Sequence, residues 1–280
     1  MPGANTRALD KAATLDCDAL IFDLEDAVAP AAKQAARNNV VAALKNTNYA
    51  HRERVVRVNG LDTPWGAEDV SAVTALPLDA VLFPKVDNAA MVVAAAEAVA
   101  AAANLGGVAP PPVWAMIESP ASLLRLEQIC TAHTALEVLV MGTSDLVRDL
   151  RARHIESREP LLYALSAAVT AARAFNLEIL DGVHLDFRNL ESFRSTCEQG
   201  RALGFDGRTL IHPSQVDIAN EIYGFSAEDV DLARRIIDVW QRAEAEGLGV
   251  VELDGQLIEN LHAAEARRTL ALAEELSERS

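Results

Sequence analysis

Hydrophobic positions along the chain fall into two alternating patterns. Short, nearly unbroken apolar runs, DALIFDL at 18–24, RVVRVN at 54–59, AVLFPK at 80–85, VWAMI at 113–117, LEVLVM at 136–141, LEIL at 177–180 and RTLIH at 208–212, predict strands buried on both faces. Between them, amphipathic or alanine-rich segments at 31–44, 67–76, 89–103, 122–133, 160–174 and 190–203 predict helices, and 9–15 reads as a helix ahead of the first run. Strict alternation of this kind implies a parallel sheet. Seven strands are one short of a closed barrel. The chain opens on the turn Met1-Pro2-Gly3, where an alternating fold should first have supplied a strand, so the expectation is a truncated first strand and a natural start upstream.

The segment 104–112, with Gly106-Gly107 and three consecutive prolines, predicts a surface connection, because a proline run cannot continue a ladder. After His212 the strand series stops. A helix is predicted over 227–245, N-capped by Ser226 with Asp229 at the third helical position, then a short strand at 247–251, a turn at Asp254-Gly255 and a last helix over 260–276. The expected organisation is a catalytic domain over 1–222 and a helical appendage over 223–280.

Composition narrows the function classes. With 280 residues, half of them hydrophobic, the chain can bury a large core. No run of 18 uncharged apolar residues occurs and MPGANTRALDKAA has no signal-peptide core, so a soluble cytoplasmic protein with no membrane partner is the expectation. A net charge of −16 argues against nucleic acid or anionic membrane as a general partner. Cys17, Cys130 and Cys197 lack metal-ligand spacing and read as reduced core thiols.

Candidate chemistry gathers where the apolar runs break. Glu118 ends one run and Asp145 follows the next, and parallel strands put their carboxyl ends on one side of the sheet, where ligands bind. Two hard oxygen donors with no His or Cys beside them suit Mg²⁺, which keeps several waters. The alternative is that either carboxylate caps the helix after it, since Glu118-Ser-Pro and Thr143-Ser-Asp145 both precede helical patterns. Two carboxylates at matched positions favour the metal. Asp23, Glu25 and Asp26 form an acidic triplet after the first run. Arg57, inside an apolar run, needs a carboxylate or a ligand: a structural pair with Glu25 or Asp26, contact with a substrate carboxylate or a developing enolate, or both. Lys85 either acts likewise or neutralises the acidic rim. His212 is an acid/base by residue type or part of a structural turn, and His51, His133 and His154 read as surface residues.

MPGAN, DALIFDLEDAV with Lys33 and Arg37 following, VVRVNGLDTPWG, VLFPKV, MIES, MGTSD and GFDGRTLIHPSQV, taken in order, resemble the citrate lyase β-subunit and malyl-CoA lyase family across essentially the whole chain. Members usually begin with a strand of the type LFVPG, which fits the truncation expected above. The resemblance implies a TIM (β/α)₈ barrel whose Mg²⁺ is held by Glu118 and Asp145. It further implies that Arg57 contacts the thioester or keto-acid oxygen, that Glu25 and Asp26 orient Arg57 and metal waters, and that Arg7 and Lys11, beside the Pro2-Gly3 turn, meet phosphates of coenzyme A. It implies a C-terminal lid that completes a neighbour's site in a homotrimer or hexamer. The lid's usual aspartate, in a pattern like GKMID, is here Glu259 of Gly255-Gln-Leu-Ile-Glu-Asn260, with His262 close by. One extra methylene moves that carboxylate by more than ~1 Å, enough to cost about 10²-fold in rate. The implied reaction is cleavage of a 3-hydroxyacyl-CoA such as malyl-CoA, citramalyl-CoA or a citryl thioester to a 2-oxo acid and acetyl-CoA, with Arg57 and Glu259 as catalytic residues. The alternatives are a malyl-CoA-type thioesterase in which Glu259 directs water, and a citrate lyase subunit working on a carrier-bound thioester.

Overall fold

The computed structural model describes residues 1–279. Contacts divide them into a unit covering Met1–Ala219 and a second beginning at Asn220, against an expected boundary after residue 222. The first unit is an α/β fold built on one seven-stranded parallel sheet in sequential order: β1 (Ala19–Asp23), β2 (Glu53–Arg57), β3 (Ala80–Phe83), β4 (Val113–Ile117), β5 (Leu136–Met141), β6 (Glu178–Asp181) and β7 (Gly207–Arg208). The helices are α1 (Thr6–Ala12) before the sheet, then α2 (Lys33–Asn46), α3 (Gly66–Val73), α4 (Ala89–Gly106), α5 (Pro120–Leu123), α6 (Leu126–Cys130), α7 (Thr143–Asp149), α8 (Leu162–Ala174) and α9 (Leu190–Leu203) in the connections.

One sheet face is an apolar interior in which Val55, Leu82, Trp114, Met116, Val138 and Val140 pack together with Ile21 and Leu180. The alternate residues face the helices, so central strands such as β4 are buried along their whole length and read as unbroken apolar runs. No eighth strand joins the sheet among the described residues. Instead Pro2 bridges in parallel to Asp23, and Asp23 N–H donates to Met1 O at 2.8 Å, so the first residues lie along the outer edge of β1.

Three expected elements differ. The run at 122–133 is two short helices, because Ser119 caps α5 and the chain departs from helix at Arg125. The expected strand 208–212 keeps only its start: Thr209 N–H still reaches Asp181 O at 3.0 Å, after which His212 turns the chain into Pro213. The helical pattern expected after Thr143-Ser-Asp145 is α7, which already begins at Thr143, so Asp145 lies inside its first turn and not ahead of it. Among the described helices, α4 alone is long and apolar enough to cross a bilayer; its Val92, Ala95, Val99 and Ala103 are buried, and it packs on β4, α3 and α6.

α10 (Val216–Tyr223) spans the division between the units. The second unit then contains α11 (Ala227–Ala245), capped by Ser226 and Asp229 as expected, a hairpin of β8 (Val251–Leu253) and β9 (Gln256–Ile258), and α12 (Asn260–Arg279). Trp240, Ile258 and Ala263 form its core.

Candidate active site

Asp23 and Arg57 end adjacent strands at the same register position, so both project from the same face at the carboxyl rim. Their pairing is a fork: Arg57 Nε donates to Asp23 Oδ1 at 2.7 Å and Nη2 to Oδ2 at 2.6 Å. The remaining Nη1 lies 3.3 Å from Glu25 Oε2 and 3.5 Å from Met116 Sδ. Asp23 also accepts the N–H groups of Glu25 (2.9 Å) and Ala27 (3.1 Å), which wraps the acidic loop around it. Burial works against charge on both partners, but the paired hydrogen bonds outweigh it. Asp23 is held below the usual carboxylate range and Arg57 above its ordinary value, so both stay ionised.

Glu25 is buried, and burial raises it above an ordinary glutamate despite Lys85 and Arg57. Lys85 Nζ donates to Glu25 Oε1 and lies 3.4 Å from Asp26. Asp26 therefore faces Lys85; the principal carboxylate on Arg57 is Asp23. Behind the loop, the buried Lys33 ammonium donates to Leu24 O (2.9 Å), Glu25 O (2.8 Å) and Asn59 Oδ1 (2.7 Å), while Asn59 Nδ2 donates to Asp69 (2.6 Å), which also pairs with Arg37.

Glu118 follows β4 and is buried. Its Oε1 accepts the backbone N–H of Lys85 at 2.7 Å, a residue held at φ 53°, the left-handed region that non-glycine residues seldom adopt. Glu118 also lies hard against Gly142, where a Cβ would come within 2.3 Å of Glu118 Cβ and Oε2. Burial, then the charge of Asp145, push Glu118 up to about 7 against the pull of the Lys85 amide and Arg57. Asp145 sits in the first turn of α7 with Arg148 Nη1 2.5 Å from its Oδ1. Neither carboxylate caps a helix: Ser119 caps α5, and α7 has no side-chain cap. Two acidic oxygen donors whose charges repel, one buried with a single amide donor, make a site that a divalent cation would relieve. Among the described residues no cluster of three His, Cys, Asp or Glu forms a cage, so a cation here would keep water or substrate oxygens, as Mg²⁺ does. The donor set fits Mg²⁺.

Arg7 and Lys11 are exposed and four apart on α1, hence on one face, while Leu9 and Ala12 are buried on the other. Pro2 and Gly3 lie against the end of β1. Gly3 N–H donates to Asp23 O at 2.8 Å, and a Cβ on Gly3 would be 3.0 Å from that oxygen and from Val40. Glu259 is exposed in the second unit, just before α12. His262 Nδ1 accepts the Glu259 N–H at 3.0 Å, so that histidine closes the turn into α12. His212 Nδ1 likewise accepts the Ser214 N–H at 3.2 Å and its ring stacks on Phe187, which is the structural-turn alternative.

The profile of the HpcH/HpaI aldolase/citrate lyase family matches residues 1–213. The chain belongs to that family. A (3S)-malyl-CoA thioesterase of Cereibacter sphaeroides (strain KD131 / KCTC 12085) is 46% identical over 99% of this chain and 94% of its own length. The citrate lyase subunit beta of Escherichia coli (strain K12) is 36% identical over 98% and 91%. Among solved structures, CitE from Mycobacterium tuberculosis in complex with magnesium, acetoacetate and coenzyme A superposes with a TM-score of 0.77 at 29% identity, covering 98% of this chain and 96% of that one.

Within this HpcH/HpaI-type sheet, two participants were not evident from residue type. Asp23 was one of three equivalent-looking acids; the signal was its strand register, since a residue at the end of one parallel strand faces the residue at the end of the next. The Lys33–Asn59–Asp69–Arg37 chain joins helices to a loop across 30 residues or so of sequence, and no local pattern announces it.

Proposed function

We propose that this chain is a Mg²⁺-dependent enzyme acting on a malyl-type acyl thioester of coenzyme A. The observation that carries the reading is the buried Asp23–Arg57–Glu25 arrangement beside Glu118, a fixed guanidinium next to a buried carboxyl that has no ion pair of its own among the described residues and feels the charge of Asp145, itself paired with Arg148. Glu118 and Asp145 would hold the metal, which when bound orients and polarises oxygens of the acyl group. Arg57, pre-aligned by Asp23, stabilises negative charge developing on the thioester oxygen. Lys85 keeps Glu25 and Asp26 in place, and Lys33 fixes the backbone of the same loop. Arg7 and Lys11 are assigned to coenzyme A phosphates, with Pro2-Gly3 beside them. Glu259 is assigned as the base. Assembly as a homotrimer or hexamer belongs to the same proposal and is read by light scattering.

Hydrolysis is the favoured outcome, because the thioesterase relative is 46% identical over nearly the full length. Carbon–carbon cleavage to a 2-oxo acid and acetyl-CoA is the second reading, supported by the citrate lyase relative at 36%, which also leaves a carrier-bound thioester as a substrate form. Incubation with Mg²⁺ and malyl-CoA or citramalyl-CoA separates them: free thiol without 2-oxo acid marks hydrolysis, and hydrazone-trapped 2-oxo acid without thiol marks cleavage. Absence of both products, on free and carrier-bound thioesters alike, would sink the proposal.

Gly142 offers a sharper test of the metal assignment. A Cβ there must displace Glu118, so Gly142→Ala is expected to weaken Mg²⁺ binding roughly 10–100-fold, the usual cost of disturbing a ligand's support. Calorimetric titration of Mg²⁺, with circular dichroism to verify folding, measures it; unchanged affinity would remove Glu118 from the ligand set.

A further inference from the structure

β6 and β7 end in a second polar cluster, on the opposite face of the sheet from Arg57. Leu180 packs with the interior, so Asp181, the next residue, and Arg208, its register partner, face α9. Asp181 is fully buried and is held by Arg158, whose Nη1 lies 2.9 and 2.7 Å from its two oxygens. Arg158 is otherwise satisfied: Nε donates to Gln199 at 2.7 Å and Nη2 to Thr196 O at 3.2 Å. Arg208 is not. Its side chain is 1% exposed, its hydrogen bond to Thr196 Oγ1 (2.9 Å) runs through Nη1, and it stands 3.6 Å from Asp181. Its buried Nε has no hydrogen bond.

His184 approaches the same place. Its Nδ1 is 3.5 Å from Thr196 Oγ1, its ring lies 5.7 Å from Phe193, and the Arg208 guanidinium sits 5.5 Å over that same phenyl ring. The buried His184 Nε2 is also without a partner. Two guanidiniums thus share one carboxylate, and the one with the weaker share is the more deeply buried. A buried charge is tolerated when paired and hydrogen-bonded, and Arg208 lacks part of both. The nearby acids Glu156 and Asp186 are exposed, where solvent screens them.

We propose that the Nε side of Arg208, together with His184 Nε2, binds a small, weakly hydrated monovalent anion of the chloride or bromide class between the β6–β7 rim and α9. Such an ion supplies the missing counter-charge and accepts from Arg208 Nε and from His184 in its Nε2–H tautomer; Thr196 gives its own hydroxyl proton to Phe193 O, and at 3.5 Å it does not claim the imidazole proton for Nδ1. Both nitrogens are shut off from solvent, which favours an ion that sheds water easily over phosphate or sulfate. The bound ion would tie the loop after β6 to α9. That loop begins at Gly182, where a Cβ would meet Thr143 Oγ1 at 2.5 Å, so it also abuts the start of the helix carrying Asp145.

Crystals of the full chain soaked in sodium bromide decide the matter. The expected result is an anomalous peak within hydrogen-bonding distance of Arg208 Nε and His184 Nε2. Melting temperature in chloride or bromide should exceed that in gluconate at equal ionic strength by roughly 2–4 °C, and the difference should vanish in Arg208→Gln. Should that variant fail to fold, His184→Phe, which keeps the aromatic packing, takes its place. Density for water alone with no anomalous signal overturns the proposal, as does an anion-dependent shift that persists unchanged in the variants.

Discussion

Replacing Glu118 with Gln is expected to abolish Mg²⁺-dependent stabilisation and lower turnover by about 10³-fold, the scale of several kcal/mol of charge stabilisation. The same variant without metal should be more stable than the parent above pH 7. The sign follows from the raised value of Glu118, about 7 against 4.5 for the free side chain. A carboxyl raised on folding contributes stability below about pH 4.5 that is lost as pH climbs through 7, because the folded site then has to hold a buried anion. Glutamine never ionises, so it escapes a cost on the order of 3 kcal/mol. Thermal melts of both proteins at pH 5 and pH 8, with and without Mg²⁺, give four comparisons. If Glu118→Gln still melts higher in Mg²⁺, the metal is bound elsewhere.

Arg57→Ala is expected to destabilise the fold by about 3–5 kcal/mol, since Asp23 would remain as a buried carboxylate without its fork. Activity should fall by at least roughly 10²–10³-fold, the cost of removing one oxyanion donor. These two effects share a residue but not a cause, and Arg57→Lys separates them. An ammonium restores a positive charge beside Asp23 and should recover much of the stability. It cannot reproduce two parallel N–H bonds to Asp23 while keeping a third donor for the substrate, so kcat should stay low. Denaturant midpoints set against kcat for the two variants provide the measurement. Recovery of both in the lysine variant would reduce Arg57 to a structural ion pair.

Much of the sheet was legible because a strand covered on both faces must be apolar along its length. The runs at 113–117 and 136–141 coincide with β4 and β5, and 190–203 and 227–245 with α9 and α11. Legibility failed where the chain's neighbours decide. β7 is only two residues long, and the backbone N–H groups of Ile211 and His212, which a continuing strand would turn to a neighbour, donate to the Gln215 side chain at 3.1 and 3.2 Å. β9 was missed because Gln256-Leu257-Ile258 is short and half exposed, and pairs only with β8 across Asp254-Gly255.

Of the candidate site, the sequence by itself determined the inventory and its side of the sheet. Apolar runs that break into Asp23, Arg57, Lys85, Glu118 and Asp145 must deliver those residues to one rim, since parallel strands end together. Tertiary structure alone decided who pairs with whom. Register set Arg57 on Asp23, with Asp26 left to Lys85. The left-handed turn at Lys85 and the missing Cβ of Gly142 fixed Glu118 in a buried position where its charge is costly. Arg208, one residue in an apolar-looking run, became a buried cation with an unpartnered edge only once α9 closed over it. The reason is common to all three: residue type fixes which charges exist, whereas burial and distance fix what each charge costs, and both are properties of the packed chain.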